Sequence, residues 1–383
     1  MTDKIHTAMK QAVEDGFFPS AELLVSRQNE ILLHHHYGKC REGTCFDIAS
    51  LTKPVCTATL TMQLVAEELF SLSDKISQWF PAILPDYQKI SVEHLLAHTS
   101  GLPAWCPYFR ELPLDLVGTE QGKQFILDNC LNEETICQPG IQTLYSDIGY
   151  ILLGAILEKV GLHTLEGLFQ HRIATPLKLK NTFFVRNIGM PISSTSKRGY
   201  GKASQHVPTG EYKTEASPHL HKRFAPTEDC PWRGRVVHGE VHDPNAYAMG
   251  GVAGHAGLFS TATDLHQFVS ALIACYKGES DWIPQTTVKQ FLDFNTSTLR
   301  PSNTFVLGWD RPAPKNSAAG NYFSPNSIGH LGFTGCSLWI DLEKEIWIIL
   351  LANRIHPDAT NEKIKTFRPM IHNLIWKELL STK

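Results

Sequence analysis

Apolar residues in this 383-residue chain follow two rhythms, one helical and one strand-like, which alternate along its length. Residues 3–15 carry apolar side chains at helical spacing. Residues 20–27 and 31–37 read as two strands around the polar turn Gln28-Asn29-Glu30. A largely apolar helix is predicted over roughly 51–70, with Pro54 tolerated in its first turn. The run "SVEHLLAHTSGLP", 91–103, predicts a short helix ended by Gly101 and Pro103. Over 145–161 apolar residues at 148, 151, 152, 155 and 156 form one helix face, with Gly161 as the expected C-cap. A helix over 260–278 opens with a Thr261…Asp264 capping box. Strands at 336–342 and 345–352 flank a turn at Glu343-Lys344, and a helix over roughly 359–380 closes the chain. The stretch 186–245, rich in Pro, Ser, Thr, Lys and His, predicts long surface loops.

Strands thus come from both ends of the chain and helices dominate its middle. The predicted fold class is α/β (α+β): an antiparallel sheet flanked by terminal helices, plus an inserted helical region. The expected boundaries are 1–75 and 231–383 for the sheet domain and 76–230 for the mainly helical and loop region.

Composition narrows the partners. Hydrophobic residues make up 42% and charged residues 19%, as in an ordinary globular protein. The net charge of −3, without a basic stripe, argues against nucleic acid and anionic membranes. The apolar runs, such as Ile346–Ala352, fall short of the roughly 20 residues that span a bilayer. The N-terminus has no apolar h-region, so a cytoplasmic location is expected, or a periplasmic one if a leader has been removed. Nine cysteines, odd in number and without a CxxC, are expected to be free thiols.

Against this background, "FDIASLTKPVCTATLTMQLVAEELF" places Ser50 and Lys53 one turn apart at a helix start. A hydroxyl and an amine at that spacing suit a nucleophile and its activating group. They equally suit an N-cap and a snorkelling lysine. A second copy, Ser194…Lys197, lies in a loop without helical rhythm and is read as chance. Tyr145, Ser146 and Asp147 precede a helix and offer a phenol and a carboxylate, or simply a cap. In "SIGHLGFTGCSLWID" three glycines surround His330 and Thr334 ahead of a strand, which suits close backbone approach or a plain hairpin turn.

In this order the three segments resemble the serine β-lactamase and penicillin-binding protein family, nearest to its class C-like branch of esterases and D-alanyl-D-alanine carboxypeptidases. The matching residues are Ser50–Lys53, Tyr145–Asp147 and His330–Gly332. The stretches "GFFPSAELLVS", "HLLAHTSGLP" and "GEVHDPNAYAMGGVAGHAGLFSTATDL" are similar to that branch too, so the resemblance runs from about residue 10 to about 375. It implies a β-lactamase/transpeptidase-like fold with Ser50, Lys53, Tyr145 and His330 in a cleft between the two regions. It further implies acylation of Ser50, with Lys53 hydrogen-bonded to its hydroxyl and Tyr145 moving the proton, as a phenolate or through Lys53. The amides of Ser50 and Phe333 would form the oxyanion hole, and no metal or cofactor is required.

Two departures shape the expected substrate. Asp147 stands where Asn is usual, which favours a charged Lys53 and shifts the base role toward Tyr145. Leu331 stands where a hydroxyl residue helps hold a substrate carboxylate, and His330 is a weaker, pH-dependent cation than lysine. Both argue against efficient recognition of a penicillin carboxylate or a terminal D-Ala carboxylate and favour an esterase or amidase on a less anionic acyl substrate. The broader expectation is an esterase-, carboxypeptidase- or amidase-like serine hydrolase on a small-molecule or short-peptide substrate, with cell-wall fragments as candidates. Neighbouring cations such as Arg233 or Arg235 are candidates to compensate. The alternatives are a true β-lactamase and a catalytically inactive muropeptide-binding module. The oligomeric state is left open.

The remaining features carry lesser expectations. His34-His35-His36 is not read as a metal site, because His35 in a strand points away from the other two. The loop "GGVAGHAG" lacks the signature of a phosphate cradle and is read as a bend lining the site floor, with His255 a candidate substrate contact. His242 and Asp243 are read as loop-fixing residues and, secondarily, as substrate contacts.

Overall fold

The computed structural model describes residues 2–81, 83–187, 223–293 and 304–380. The second Ser-x-x-Lys copy, Ser194 and Lys197, lies outside them. Five strands form an antiparallel sheet: β1 (Ser20–Arg27), β2 (Glu30–Gly38), β9 (Ile328–Leu331), β10 (Ser337–Asp341) and β11 (Ile346–Ala352). Their spatial order is β2-β1-β11-β10-β9, so the N-terminal hairpin pairs with the C-terminal one, Leu24 opposite Ile349.

Strand alternation sorts the side chains to two buried faces. Ala21, Leu23, Val25, Ile348 and Leu350 pack under the terminal helices α1 (Asp3–Glu14) and α10 (Ile364–Ile375). Leu24, Trp347, Ile349 and Leu338 face the other way, into a core completed by the middle of the chain. That core takes in Leu96 of α3 (Val92–Leu96), Ile126 of α4 (Glu120–Asn132), Leu152 of α5 (Asp147–Gly161) and Leu168 of α6 (Leu165–Phe169). The helical region and the sheet therefore share one hydrophobic core.

A smaller sheet joins the two regions. It has the order β4-β8-β3-β5, from β3 (Thr44–Asp47), β4 (Phe183–Phe184), β5 (Arg223–Phe224) and β8 (Leu258–Ser260). A ribbon of β6 (Asp229–Cys230) and β7 (Arg235–Val236), followed by α7 (Pro244–Ala248), occupies part of the stretch read as loop. Helices α8 (Ala262–Lys277) and α9 (Gln285–Leu292) complete the described elements beside α2 (Thr59–Ala66). All nine cysteines are free thiols, and among the described residues no single helix is long and apolar enough to cross a membrane.

Three local expectations are corrected. The helix expected over 51–70 is a 3₁₀ turn at Ala49–Leu51, a wide π-helical turn at Lys53–Ala58, and then α2, which ends at Ala66. Pro54 has no N–H to give, and its carbonyl is taken by Thr59 Oγ1 at 2.8 Å. The capping box at α8 is half formed: Thr261 Oγ1 accepts from Asp264 N at 3.4 Å, but the Asp264 carboxylate is taken by Asn181 N at 2.6 Å and Thr182 Oγ1 at 3.0 Å. Helix α5 ends with Leu162, not Gly161, in the left-handed conformation, at φ +51°. Gly161 instead leaves room for Leu168, since a Cβ there would lie 2.7 Å from Leu168 Cδ2 and force that side chain to shift.

Leu162 is 89% exposed and packs against little, so its left-handed backbone is a cost without a side-chain return. Leu162→Gly should raise the free energy of unfolding by about 1 kcal/mol, read as a higher urea midpoint at unchanged slope. An unchanged or lower midpoint would remove the strain from Leu162.

Candidate active site

Strand β3 delivers the chain to Ser50 through a forced turn. Ala49 sits at φ +47°, unusual for a residue with a Cβ. The buried Asp47 carboxylate holds it there, accepting Ala49 N at 2.8 Å and His242 N at 2.7 Å. Burial pushes the Asp47 pKa up, while these two amides favour its charged form.

Lys53 lies one turn beyond Ser50 with its side chain 0% exposed, which excludes a snorkelling role. The N-cap positions of the two turns are Ile48 and Thr52, and Ser50 lies inside the first turn, which excludes the capping reading as well. The Lys53 Nζ donates to Ser50 Oγ at 3.0 Å, Asp147 Oδ1 at 2.6 Å and the His255 carbonyl at 3.1 Å. All three ammonium protons are thereby placed. The same Nζ lies 4.8 Å from the centre of the Tyr145 ring and 5.5 Å from that of Tyr150.

The start of α5 divides its labour between neighbours. Ser146 is the N-cap, its Oγ accepting from Gly149 N at 3.1 Å, so Asp147 is left to reach Lys53. Ser146 N donates to Nδ1 of the buried His98 at 3.0 Å. The His98 ring packs 4.4 Å from Tyr145 and 4.8 Å from Phe305, so it sets the position of the phenol. Burial, then the Lys53 charge, holds His98 well below the usual histidine range, hence neutral.

Charge in this cluster is strongly shifted. Burial lowers the Lys53 pKa, but Asp147 and Tyr145 outweigh it and raise the pKa above the ordinary lysine value. Burial raises that of Tyr145, opposed by Lys53 and by hydrogen bonding with Lys53 and Ser50, and reinforced by Asp147. The resting cluster is therefore a lysinium–aspartate pair beside a protonated phenol.

The third segment approaches from β9. A Cβ on Gly332 would stand 2.7 Å from the Ile48 carbonyl, so only glycine lets this strand close on the turn before Ser50. Thr334 Oγ1 donates to the Asp47 carbonyl at 2.7 Å, and buried Arg368 of α10 donates to the carbonyls of Gly332 at 2.8 Å and Cys336 at 2.7 Å. Phe333 N, in the turn between β9 and β10, donates no backbone hydrogen bond among the described residues. The Phe333 ring is 52% exposed, stacked at 5.5 Å on His242 and 4.5 Å from the Arg354 guanidinium. Leu331 is half-buried beside it.

His330 differs from expectation. Its Nδ1 lies 2.9 Å from the Leu331 carbonyl, which can only accept, so Nδ1 carries the proton and Nε2 a lone pair. Burial, then Lys53, lowers its pKa to about 3, so it is a neutral imidazole rather than a pH-dependent cation. Arg233 and Arg235 do not replace that charge. Arg233 is buried and donates to the carbonyls of Val241 at 2.8 Å and His242 at 3.0 Å, while Arg235 is paired with Glu240 at 2.9 Å.

The 242–255 segment proves to be scaffolding. His242 Nε2 pairs with Glu228 at 3.0 Å. Asp243 caps α7 through Ala246 N at 2.7 Å and bonds His255 Nε2 at 2.9 Å. Its carboxyl is held at about 2, against burial, chiefly by His255. The expectation of a substrate contact by His255 is corrected: its side chain is 1% exposed, and only its carbonyl serves the cluster, through Lys53. Asp47, His98 and Arg368 were not singled out from the sequence. The first two stand within or beside segments whose resemblance was noted, but their roles depend on contacts remote in the chain. Among the described residues the one trio of His and carboxylate atoms close enough to share an ion, Glu22, His34 and His36, lies on β1 and β2 rather than here.

Comparison with known proteins is consistent with this geometry. The Beta-lactamase family model matches residues 5–368. A Salmonella paratyphi A protein, named provisionally as a D-alanyl-D-alanine carboxypeptidase, is 28% identical over 91% of this chain and 82% of its own. The Bacillus subtilis (strain 168) N-acetylmuramyl-L-alanine amidase is 28% identical over 92% of this chain and 81% of its own. Among solved structures, EstCE1, a hydrolase with promiscuous acyltransferase activity, superposes with a TM-score of 0.70 at 18% identity over 98% of both chains. The octameric penicillin-binding protein homologue from Pyrococcus abyssi gives 0.67 at 19% identity, over 98% of this chain and 77% of its own.

Asp147 raises the pKa of both Lys53 and Tyr145. A base works above its pKa, so Asp147→Asn should lower both values and move the rising limb of Ser50 acylation to lower pH. The check is the rate of fluorophosphonate labelling from neutral to alkaline pH. An unmoved limb, or one moved to higher pH, would contradict it.

Proposed function

We propose that this chain, which belongs to the Beta-lactamase family and is a hydrolase of that fold, acts as a serine acyl-hydrolase on esters or amides that bear no free carboxylate at the cleaved bond. The observation that carries the reading is the buried Lys53 ammonium donating to the Ser50 hydroxyl at 3.0 Å. With its oxygen holding that bond, the hydroxyl's own proton is free to go to Tyr145, which neighbours both groups.

In the proposed cycle the phenolate form of Tyr145 takes the Ser50 proton as Oγ attacks the carbonyl carbon. The amides of Ser50 and Phe333 receive the oxyanion. As the tetrahedral intermediate collapses, Tyr145 returns the proton to the leaving alcohol or amine, and the acyl group stays on Ser50. Water then attacks, gives its proton to Tyr145, and restores Ser50 with release of the acid. Lys53 remains charged throughout, stabilising the phenolate by its field.

The substrate class follows from what faces the cleft. Neutral His330 and apolar Leu331 offer no cation or hydroxyl to a carboxylate, and Arg233, Arg235, Arg354 and Arg368 are all engaged with other protein groups. This weakens the true β-lactamase reading. The two relatives named for cell-wall chemistry support a small molecule or short peptide derived from peptidoglycan. Of those two chemistries, cleavage of an interior amide suits the neutral imidazole better than removal of a terminal D-Ala with its carboxylate. An inactive muropeptide-binding module is disfavoured, because binding alone has no use for a buried ammonium on a serine hydroxyl.

The test is relative turnover. The kcat/KM for p-nitrophenyl butyrate should exceed that for nitrocefin, whose carboxylate finds no partner, by at least about tenfold, or roughly 1.4 kcal/mol. His330→Lys should narrow the ratio by improving nitrocefin. A preference for nitrocefin by the unaltered protein would overturn the substrate assignment while leaving Ser50 as nucleophile.

A further inference from the structure

Strand β2 is the edge of the main sheet, and it carries three consecutive histidines. Alternation sends His35 to the α1 side, where its ring lies 4.8 Å from both His6 and Tyr37. His34 and His36 share the opposite face, their rings 5.1 Å apart. Directly across from His36 on β1 is Glu22. Its Oε1 accepts from His34 Nε2 at 2.8 Å and lies 3.4 Å from His36 Nε2. Its Oε2 accepts from Ala262 N, at the start of α8, at 3.0 Å. Glu22 is 2% exposed, an unusual place for a carboxylate without a cation. Burial pushes its pKa up, yet the two histidines and the Ala262 amide bring it below the ordinary value, so it is charged.

We propose that Glu22, His34 and His36 form a binding site for one divalent transition-metal ion of the zinc class, held through Glu22 Oε1 and the two Nε2 atoms. Two imidazoles and a carboxylate are a borderline donor set suited to such an ion. Ligand atoms in a tetrahedral zinc site stand about 3.3 Å apart, given bonds of roughly 2.0–2.2 Å. The two distances here bracket that value, and all three atoms lie within 4.8 Å of one another. The His34 Nε2–H points at the carboxylate, and on binding that proton shifts to Nδ1 or leaves, turning the lone pair to the ion, while His36 Nε2 lies 3.4 Å from the same oxygen. The Ala262 amide fixes the carboxylate from behind. His34 and His36 are 25% and 20% exposed, which opens a path from solvent.

His266 of α8 interacts electrostatically with His34 but is not a fourth ligand. Its Nδ1 accepts from Trp347 Nε1 at 3.0 Å, so its Nε2 carries the proton. Water completes the coordination. The site lies four strand spacings from β9 and His330, roughly 19 Å across the sheet. Its role is to staple the edge strand to β1 and to the start of α8, not to act on substrate.

Zinc titration of the EDTA-treated full-length protein, followed by calorimetry, tests this directly, with cobalt(II) absorption as a second readout. One equivalent should bind with micromolar or tighter affinity, and cobalt should show the intense d–d bands of a tetrahedral ion. His34→Gln/His36→Gln should lose that equivalent, while His35→Gln keeps it. If the double variant misfolds by circular dichroism, single His36→Gln should weaken binding at least tenfold. No binding by the unaltered protein, or unchanged affinity in the ligand variants, would overturn the site. Fluorophosphonate labelling of Ser50 in the same samples reports on the cleft independently.

Discussion

A lysine ammonium sealed from water must find protein acceptors for its protons, and the position of Lys53 is the constraint on which the site depends. Its three partners come from three parts of the chain: Ser50 on its own turn, Asp147 at the start of α5, and the carbonyl of His255. Breaking a buried ion pair by removing one partner costs roughly 3–5 kcal/mol, so Asp147 ties the start of α5 to Lys53, while the hydroxyl and the carbonyl satisfy the remaining ammonium protons. The hold passes outward, since His255 is fixed by Asp243, and Asp243 caps α7.

Backbone geometry supplies the second half of the arrangement. The left-handed Ala49 turn costs about 1–2 kcal/mol, and the Asp47 carboxylate offsets it by binding the Ala49 amide. Asp47 also ties that turn to His242, and its carbonyl receives Thr334, so the nucleophile and the third segment share one anchor. Arg368 then holds Gly332 and Cys336 from the far side. The electrostatic character follows from the same packing: a compact lysinium–aspartate pair, surrounded by histidines kept neutral by burial and by the nearby ammonium.

Much of this was legible in the sequence for physical reasons. The β-branched and aromatic run of β11, the polar turn after β1 and the apolar face of α5 are local signals, and they place the sheet and the helix that carry Ser50's partners. The Ser50–Lys53 and Tyr145–Asp147 spacings are local, so chemistry could be read from them. What escaped depends on contacts remote in sequence or on backbone angles. Strands β3 and β8 are three or four residues long, too short for a period. The neutrality of His330 comes from burial and from a lysine far away in the chain. The bond between Ser146 and His98 and the cross-strand meeting of Glu22 with His36 exist only once the register is set. The run 250–257 is expected to line the site floor with His255 reaching substrate, whereas its imidazole turns away to Asp243 and is buried beneath the cluster, a contact that only the folded chain creates.

The most direct measurement of the central claim is intact mass spectrometry after exposure to a fluorophosphonate, comparing the unaltered chain with Ser50→Ala. One adduct is expected on the unaltered chain and none on the variant. No adduct on the unaltered chain, or an adduct that persists on Ser50→Ala, would contradict Ser50 as the activated nucleophile.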